Sequence, residues 1–183
     1  MNKKDDYFEL LNRLNPVLSF IGIELTESGK YRRIERSNTI SDAERRANRL
    51  IDTLKQRNVH SEVLTYCKAE LLVDNYFHAV FEAVKSVADK IRYKSGIHED
   101  GSKLVDIVFS AKKPLLKINN MSSPTELSEQ KGFANLLKGM FGMFRNTVAH
   151  EPKIKWEINE NDALDIFSLV SLLHRRLETS KTV

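Results

Sequence analysis

Between Glu62 and Tyr93 the chain contains neither glycine nor proline. These two residues punctuate secondary structure, so a run without them favours one continuous element. Val63, Cys67, Leu71, Val73, Phe77, Val80, Val84, Val87 and Ile91 recur along it largely at the steps of an α-helix. Ser95-Gly96 then supplies a stop. The pattern predicts one helix of roughly thirty residues, about 45 Å long at a rise of about 1.5 Å per residue. An element of that length is the expected central scaffold.

The flanking segments read as shorter elements. Asp5 to Phe20 has helical spacing at Tyr7, Leu10, Leu11, Leu14 and Leu18, with Pro16 kinking or ending it. Ile21, Ile23 and Leu25 alternate, Glu27-Ser28-Gly29-Lys30 can turn, and Tyr31 to Ile34 follows, which together suggest a small β-hairpin. Ser41-Asp42-Ala43-Glu44 has the capping-box pattern and predicts a helix to about Arg57. A short helix is expected over Lys103 to Ala111, before Pro114, and residues 117–125 form a polar loop. Ser123-Pro124-Thr125-Glu126 places a cap, a proline at the first helical position and an acid at the third. That helix continues through Phe133, Leu136, Leu137, Met140, Phe141 and Phe144 and is expected to stop at Pro152. A last helix spans Asp162 to Leu177, with Asn161 as its expected cap. The fold class is all-α, a helical bundle with a small β-hairpin near the N-terminus. We divide it into a basic N-terminal segment, residues 1–58, and a helical bundle, residues 59–183.

Composition excludes several function classes. The 183 residues carry a formal net charge of +4 and a single cysteine, Cys67. One cysteine forms no intrachain disulfide and no thiolate zinc site, and a reducing, cytoplasmic setting is the simplest expectation. No signal-peptide-like or membrane-spanning apolar stretch is seen, so no membrane partner is expected. His60, His78, His98, His150 and His174 form no metal-ligand spacing, and no Gly-rich phosphate loop or nucleophile elbow occurs. Neither a metal nor another cofactor is expected. Residues 30–57 hold nine Lys/Arg against four acids, more than the whole-chain excess. Such a stretch is either a surface that attracts a polyanion or a solvated helix face.

The chemistry candidate is Phe144-Arg145-Asn146-Thr147-Val148-Ala149-His150-Glu151-Pro152. An arginine neutralises a phosphate and a histidine moves a proton near neutral pH, a minimal set for cutting RNA without a metal. The other reading of the run is a helix C-cap, with Arg145 complementing the dipole and His150 bonding the last carbonyls. Arg92 and His98 have nearly the same spacing, but Ser95-Gly96 interrupts them, so they rank lower. Residues five apart on an ideal helix differ by about 140°, so Arg145 and His150 do not share a face. Either the last turn opens or each works with the copy in a second subunit. His78, Glu82 and Lys85 share a helical stripe, and Glu82 and Lys85 either line a cleft or form an exposed ion pair. Glu70 and Asp74 read as a solvated face. Lys153 and Lys155 follow the motif as RNA-phosphate contacts, Trp156 reads as packing, Met121, Met140 and Met143 as core, and Cys67 as an inert thiol.

With its flanks, Gly139 to Pro152 resembles the motif of the HEPN superfamily (higher eukaryotes and prokaryotes nucleotide-binding): Arg, a polar residue often Asn, a short spacer, then His. The preceding His78-Ala-Val-Phe-Glu82-Ala-Val-Lys85 and Lys131-Gly132-Phe133 resemble its Ymh-type branch over roughly residues 60–178. The resemblance implies a HEPN-like bundle that forms a homodimer, with two Arg…His sets at one cleft. It implies metal-independent RNA cleavage in phage defence, toxin or stress systems, with Arg145, Asn146 and His150 catalytic and Lys85, Lys153 and Lys155 on the RNA. An antitoxin or another defence-system component is a further expected partner. Toxins of this type silenced by a nucleotidyltransferase carry Tyr two residues after the histidine, where this chain has Pro152. Some members only bind RNA, nucleotide or protein, and that is the alternative expectation. A plain helical interaction domain is a third.

Overall fold

The computed structural model describes residues 10, 11, 14, 15, 18, 21–26, 28–33, 38–72, 75–145 and 158–183. Among them the fold is all-α, with helices α1 (Asn38–Gln56), α2 (Ser61–Leu64), α3 (Phe77–Ser95), α4 (Gly101–Val108), α5 (Pro124–Phe144) and α6 (Glu160–Glu178). Strands β1 (Ile23–Leu25) and β2 (Tyr31–Arg33) pair antiparallel as the expected hairpin, with Glu24 opposite Arg32. Of the segment before it, Leu10, Leu11, Leu14, Asn15 and Leu18 are helical, while Pro16 lies outside the described residues. The Asn15 side chain brackets Leu25, accepting from its N–H at 2.8 Å and donating to its C=O at 2.9 Å.

The expected thirty-residue helix is two helices. α2 ends at Leu64, where the Thr65 hydroxyl folds back onto the Glu62 carbonyl at 2.7 Å. A 3-10 turn follows at Ala69–Leu71, and α3 starts only at Phe77, whose N–H donates to Asn75 Oδ1 at 2.7 Å. Side chains that bond the local backbone compete with helix propagation, and Thr65 and Asn75 do so here. The break lets Val63, Cys67, Leu72 and Tyr76 all turn into the core.

Other boundaries shift for related reasons. α1 starts at Asn38, so Ser41 lies inside the helix instead of capping it; nothing between them stops a helix. α4 begins at Gly101 and ends at Val108, short of Ala111. α5 has the expected start, with Ser123 Oγ accepting from the Glu126 N–H at 3.2 Å and Pro124 in the first turn. It ends at Phe144, not at Pro152, and Asn146, Thr147 and Val148, all weak helix formers, come next in the sequence. α6 starts at Glu160 and is capped by Asn159 in place of Asn161, with Asn159 Oδ1 accepting from the Asp162 N–H at 2.9 Å.

α3 and α6 pack closely against each other, with Ser86 of α3 meeting His174 of α6 at 2.9 Å. α4 lies on α5, with Phe109 set edge-on against Phe133 and Lys138 paired with Asp106. α1 places Ala47, Leu50 and Leu54 in the same core. A second small ribbon pairs β3 (Leu116–Lys117) with β4 (Lys181–Thr182). Buried Gln130 secures it: Nε2 donates to the Leu116 C=O at 2.9 Å and Oε1 accepts from the Ile118 N–H at 3.1 Å. Met140 is core, but Met143 is 60% exposed, contrary to expectation, because it falls on the outer face of α5.

Two outcomes follow. Gln130→Ala strands both backbone groups and should cost about 2–4 kcal/mol in urea unfolding. His174, only 1% exposed, has its pKa pushed down from 6.5 to about 4 by burial, then by the charges of His60 and Lys90, with Glu178 opposing. The unfolded chain therefore binds a proton that the folded chain refuses between about pH 6.5 and about pH 4. Stability from this group is complete above that window and lost as pH falls through it. His174→Gln should flatten the dependence of the urea midpoint on pH across the window.

Candidate functional site: an arginine junction at one end of the bundle

Arg145 is the residue at which α5 ends, its N–H still bonded to the Phe141 carbonyl at 3.1 Å. Its side chain crosses to Asp100, immediately before α4, and both terminal nitrogens donate to the two carboxylate oxygens. This fork-on-fork pairing is the geometry in which arginine also takes a phosphate. Arg92, in the last turn of α3, donates to the same Asp100 at 3.1 Å and pairs with Asp89 on its own helix. Three helix ends thus meet on one carboxylate.

The local sequence explains the meeting. Gly96 takes a left-handed conformation (φ 70°) and ends α3, with its N–H on the Arg92 carbonyl at 2.8 Å. The chain returns to an extended backbone at Asp100, and Gly101 is again left-handed (φ 54°). Eight residues after Arg92, this brings Asp100 back over the end of α3. The hydrogen bonds from Arg145 hold the Asp100 carboxyl down at about 2; burial opposes them, and the Gly101 N–H and the charges of Arg145 and Arg92 assist. The arginines are the shielded members, 18% exposed for Arg145 and 26% for Arg92, against 54% for Asp100.

The arginines of the two Arg…His runs that rank as rivals by spacing are therefore neighbours: Arg92 and Arg145 share a partner. Asp100 escaped the sequence reading, although an Asp-Gly pair ahead of an apolar period is a recognisable helix start. His98 is exposed, two residues before it. Asn146, His150, Pro152, Lys153, Lys155, Trp156 and Asp74 lie outside the described residues, as does the side chain of Glu70.

Lys85 belongs to a polar stripe on α3 formed by His78, Glu82, Lys85, Asp89 and Arg92, which leads to the junction. Its ammonium bonds both Glu82 oxygens at 2.9 and 3.0 Å and lies 5.4 Å from the centre of the Phe81 ring. Seven residues separate it from Arg92, about 10 Å along the axis. Cys67 is buried, and burial pushes its thiol up to about 12, so it is no nucleophile.

Much of the basic charge on α1 and at its end ties the bundle together. Arg49 pairs with Glu160 at 2.9 Å, Arg46 Nε donates to the Leu72 carbonyl at 2.8 Å, and Arg57 reaches Ser168 at 3.0 Å and the Leu164 carbonyl at 3.3 Å. Arg45, Arg46, Asn48, Arg49 and Asp52 line a groove of about 410 Å³. Among the described residues no group of three or more His, Cys, Asp and Glu is arranged to hold a metal, and no helix is long and apolar enough to cross a membrane.

Residues 57–177, well over half of the chain, match a family model described as a protein of unknown function (Hypoth_ymh), and the chain belongs to that family. No curated protein and no solved structure is significantly similar to it. Because Asp100 draws two arginines onto one charge, its ionisation should support the junction above about pH 3.8 and lose that effect as pH falls toward about 2. Asp100→Asn should remove that part of the acid transition, measured by circular dichroism.

Proposed function

We propose that this Hypoth_ymh family member is a metal-independent endoribonuclease of HEPN type that acts as a homodimer. The observation that carries the reading is Arg145: it ends the apolar helix α5 with its guanidinium oriented for a planar, two-oxygen anion. In this mechanism His150 takes the proton from a ribose 2′-OH. The 2′ oxygen attacks the adjacent phosphorus, Arg145 stabilises the charge growing on the non-bridging oxygens, and Asn146 orients His150. The departing 5′ oxygen takes up a proton from water. The products are a 2′,3′-cyclic phosphate and a 5′-OH. Lys85, Lys153 and Lys155 hold flanking phosphates. A positioned base typically supplies about 10²–10⁴-fold and a preorganised charge donor a comparable factor. In this reading the activity serves phage defence, a toxin system or a stress response, with an antitoxin or defence-system partner, as the HEPN-like motif suggests, and the single cysteine supports a cytoplasmic setting.

The outer face of α5 supports the dimer. Gly132, Gly139 and Gly142 share it with Leu136 and Met143, which are 39% and 60% exposed, and a side chain added at any of the three glycines meets nothing within 4 Å. A glycine inside a helix typically costs about 0.5–1 kcal/mol relative to alanine. Nothing in the described part of the chain repays that cost, whereas the close approach of a second copy's α5 does.

The bidentate hold of Asp100 on Arg145 favours one other reading, a non-catalytic RNA- or nucleotide-binding or protein-interaction module in which the arginine is structural. Purified protein should cleave single-stranded RNA in EDTA and leave a 2′,3′-cyclic phosphate. Arg145→Ala and His150→Ala should each lower the rate by at least about 10²-fold with the helical content unchanged. A dimeric wild type inert on all RNAs tested would select the binding module. Gly139→Arg should give a folded monomer by light scattering that no longer cuts RNA. A folded Gly139→Arg dimer would reject this face as the interface.

A further inference from the structure

We propose that Arg92 and Arg145 together form the phosphodiester-binding fork for RNA, and that Asp100 is a built-in stand-in for that phosphate, displaced onto the N-terminus of α4 when RNA binds. The inference rests on reading Arg145 as a phosphate-binding residue, and adds a second arginine and a gate to it.

Three observations carry it. First, the fork of Arg145 and one terminal nitrogen of Arg92 converge on one carboxylate, so an oxyanion of similar size in the same place meets both. Secondly, the carboxylate is the outermost member, 54% exposed over arginines that are 18% and 26% exposed. A phosphate arriving from solvent meets Asp100 first and has to take its place. Thirdly, Asp100 has a destination it uses only in part, since its carboxylate meets the Gly101 N–H but goes no further into the first turn of α4. It stands at the cap position of α4 with an extended backbone (φ −139°, ψ 163°), yet its side chain makes no capping hydrogen bond. Ser123 and Asn159, at the same position of α5 and α6, do cap. The orphan N–H groups of a first helical turn take a carboxylate readily, so Asp100 has two competing sets of partners a short side-chain rotation apart. Asp89 stays on Arg92 in both arrangements, and the Glu99–Lys103 pair at 2.8 Å neutralises itself beside them.

The test uses a mixed-sequence 2′-fluoro RNA oligonucleotide, which lacks the nucleophile and so reads binding apart from cleavage. Asp100→Ser keeps a capping side chain without the charge, and Asp100→Asn keeps the size. Each should bind the oligonucleotide about tenfold tighter than the wild type, the scale of one competing charge-assisted contact. The slope of log affinity against log salt should steepen by about 0.7–0.9, the value of one added phosphate contact. Adding Arg92→Ala or Arg145→Ala to Asp100→Ser should return affinity to the wild-type value or below. Asp106→Asn, an equal charge change at the Lys138 pair, should leave it unchanged. In the wild type, saturating oligonucleotide should slow hydrogen exchange at the Ser102 and Lys103 amides as Asp100 moves onto them, a readout that needs no variant to fold. The proposal is overturned if folded Asp100→Ser binds no tighter, if its gain survives loss of the arginines or is matched by Asp106→Asn, or if those two amides exchange as fast with RNA as without. A wild type that cuts no RNA while Asp100→Ser shows the arginine-dependent gain would end the ribonuclease reading and leave this one standing.

Discussion

The hydrogen bond between Ser86 Oγ and His174 Nε2, 2.9 Å long and deep between α3 and α6, is the interaction around which the bundle is registered. Apolar helix faces slide past one another at small cost; a buried polar pair does not, because a shift strands both members. Ser86 donates its own proton to the Ala83 carbonyl at 2.7 Å, so the imidazole has to donate from Nε2. The tautomer is thereby set, and among the described residues Nδ1 remains buried without a partner. Burial of a neutral ring is tolerable where burial of a charged one is not, and it is this burial that depresses the His174 pKa. With α3 and α6 held in register, His60 stacks on His174 at 5.3 Å and reaches Glu178 at 3.2 Å, which docks the start of α2 on the same surface.

Legibility in the sequence varied with the kind of signal. Elements announced by side-chain chemistry at a terminus were readable: Ser123-Pro124 marked the start of α5, and the alternation around Gly29 marked the hairpin. Periodicity identified the buried faces, because it records which residues point inward. It failed on continuity. Val63, Cys67 and Ile91 keep a helical beat across Thr65 and Asn75, yet the chain turns between them; a buried side chain every three or four residues is also what a folded-back segment needs. The Met143 reading failed for a related reason, since the apolar stripe of α5 is broad enough to leave part of itself outside.

At the junction, the place of Arg145 near the end of an apolar helix was readable and its company was not. Spacing along the chain set Arg92 and Arg145 apart, whereas the left-handed turn at Gly96 folds the two helix ends onto Asp100. Such a junction depends on three termini at once, and no window of sequence contains it. The Asp100 carboxylate is the counter-ion that lets two guanidinium groups lie close together.

Lys94, two residues beyond Arg92, gives the last turn of α3 a second attachment. Its ammonium bonds the carbonyls of Leu177, Ser180 and Glu178, at 2.6, 2.8 and 3.2 Å, where the negative ends of the α3 and α6 dipoles lie side by side. The turn that presents Arg92 is thus clamped to the far end of α6. The carboxylate that faces it rides on residues 97–100, a strap with a left-handed glycine, Gly96 or Gly101, at each end. Arg92 therefore stands on an anchored helix end, whereas Asp100 is carried by a strap that a left-handed glycine bounds at each end.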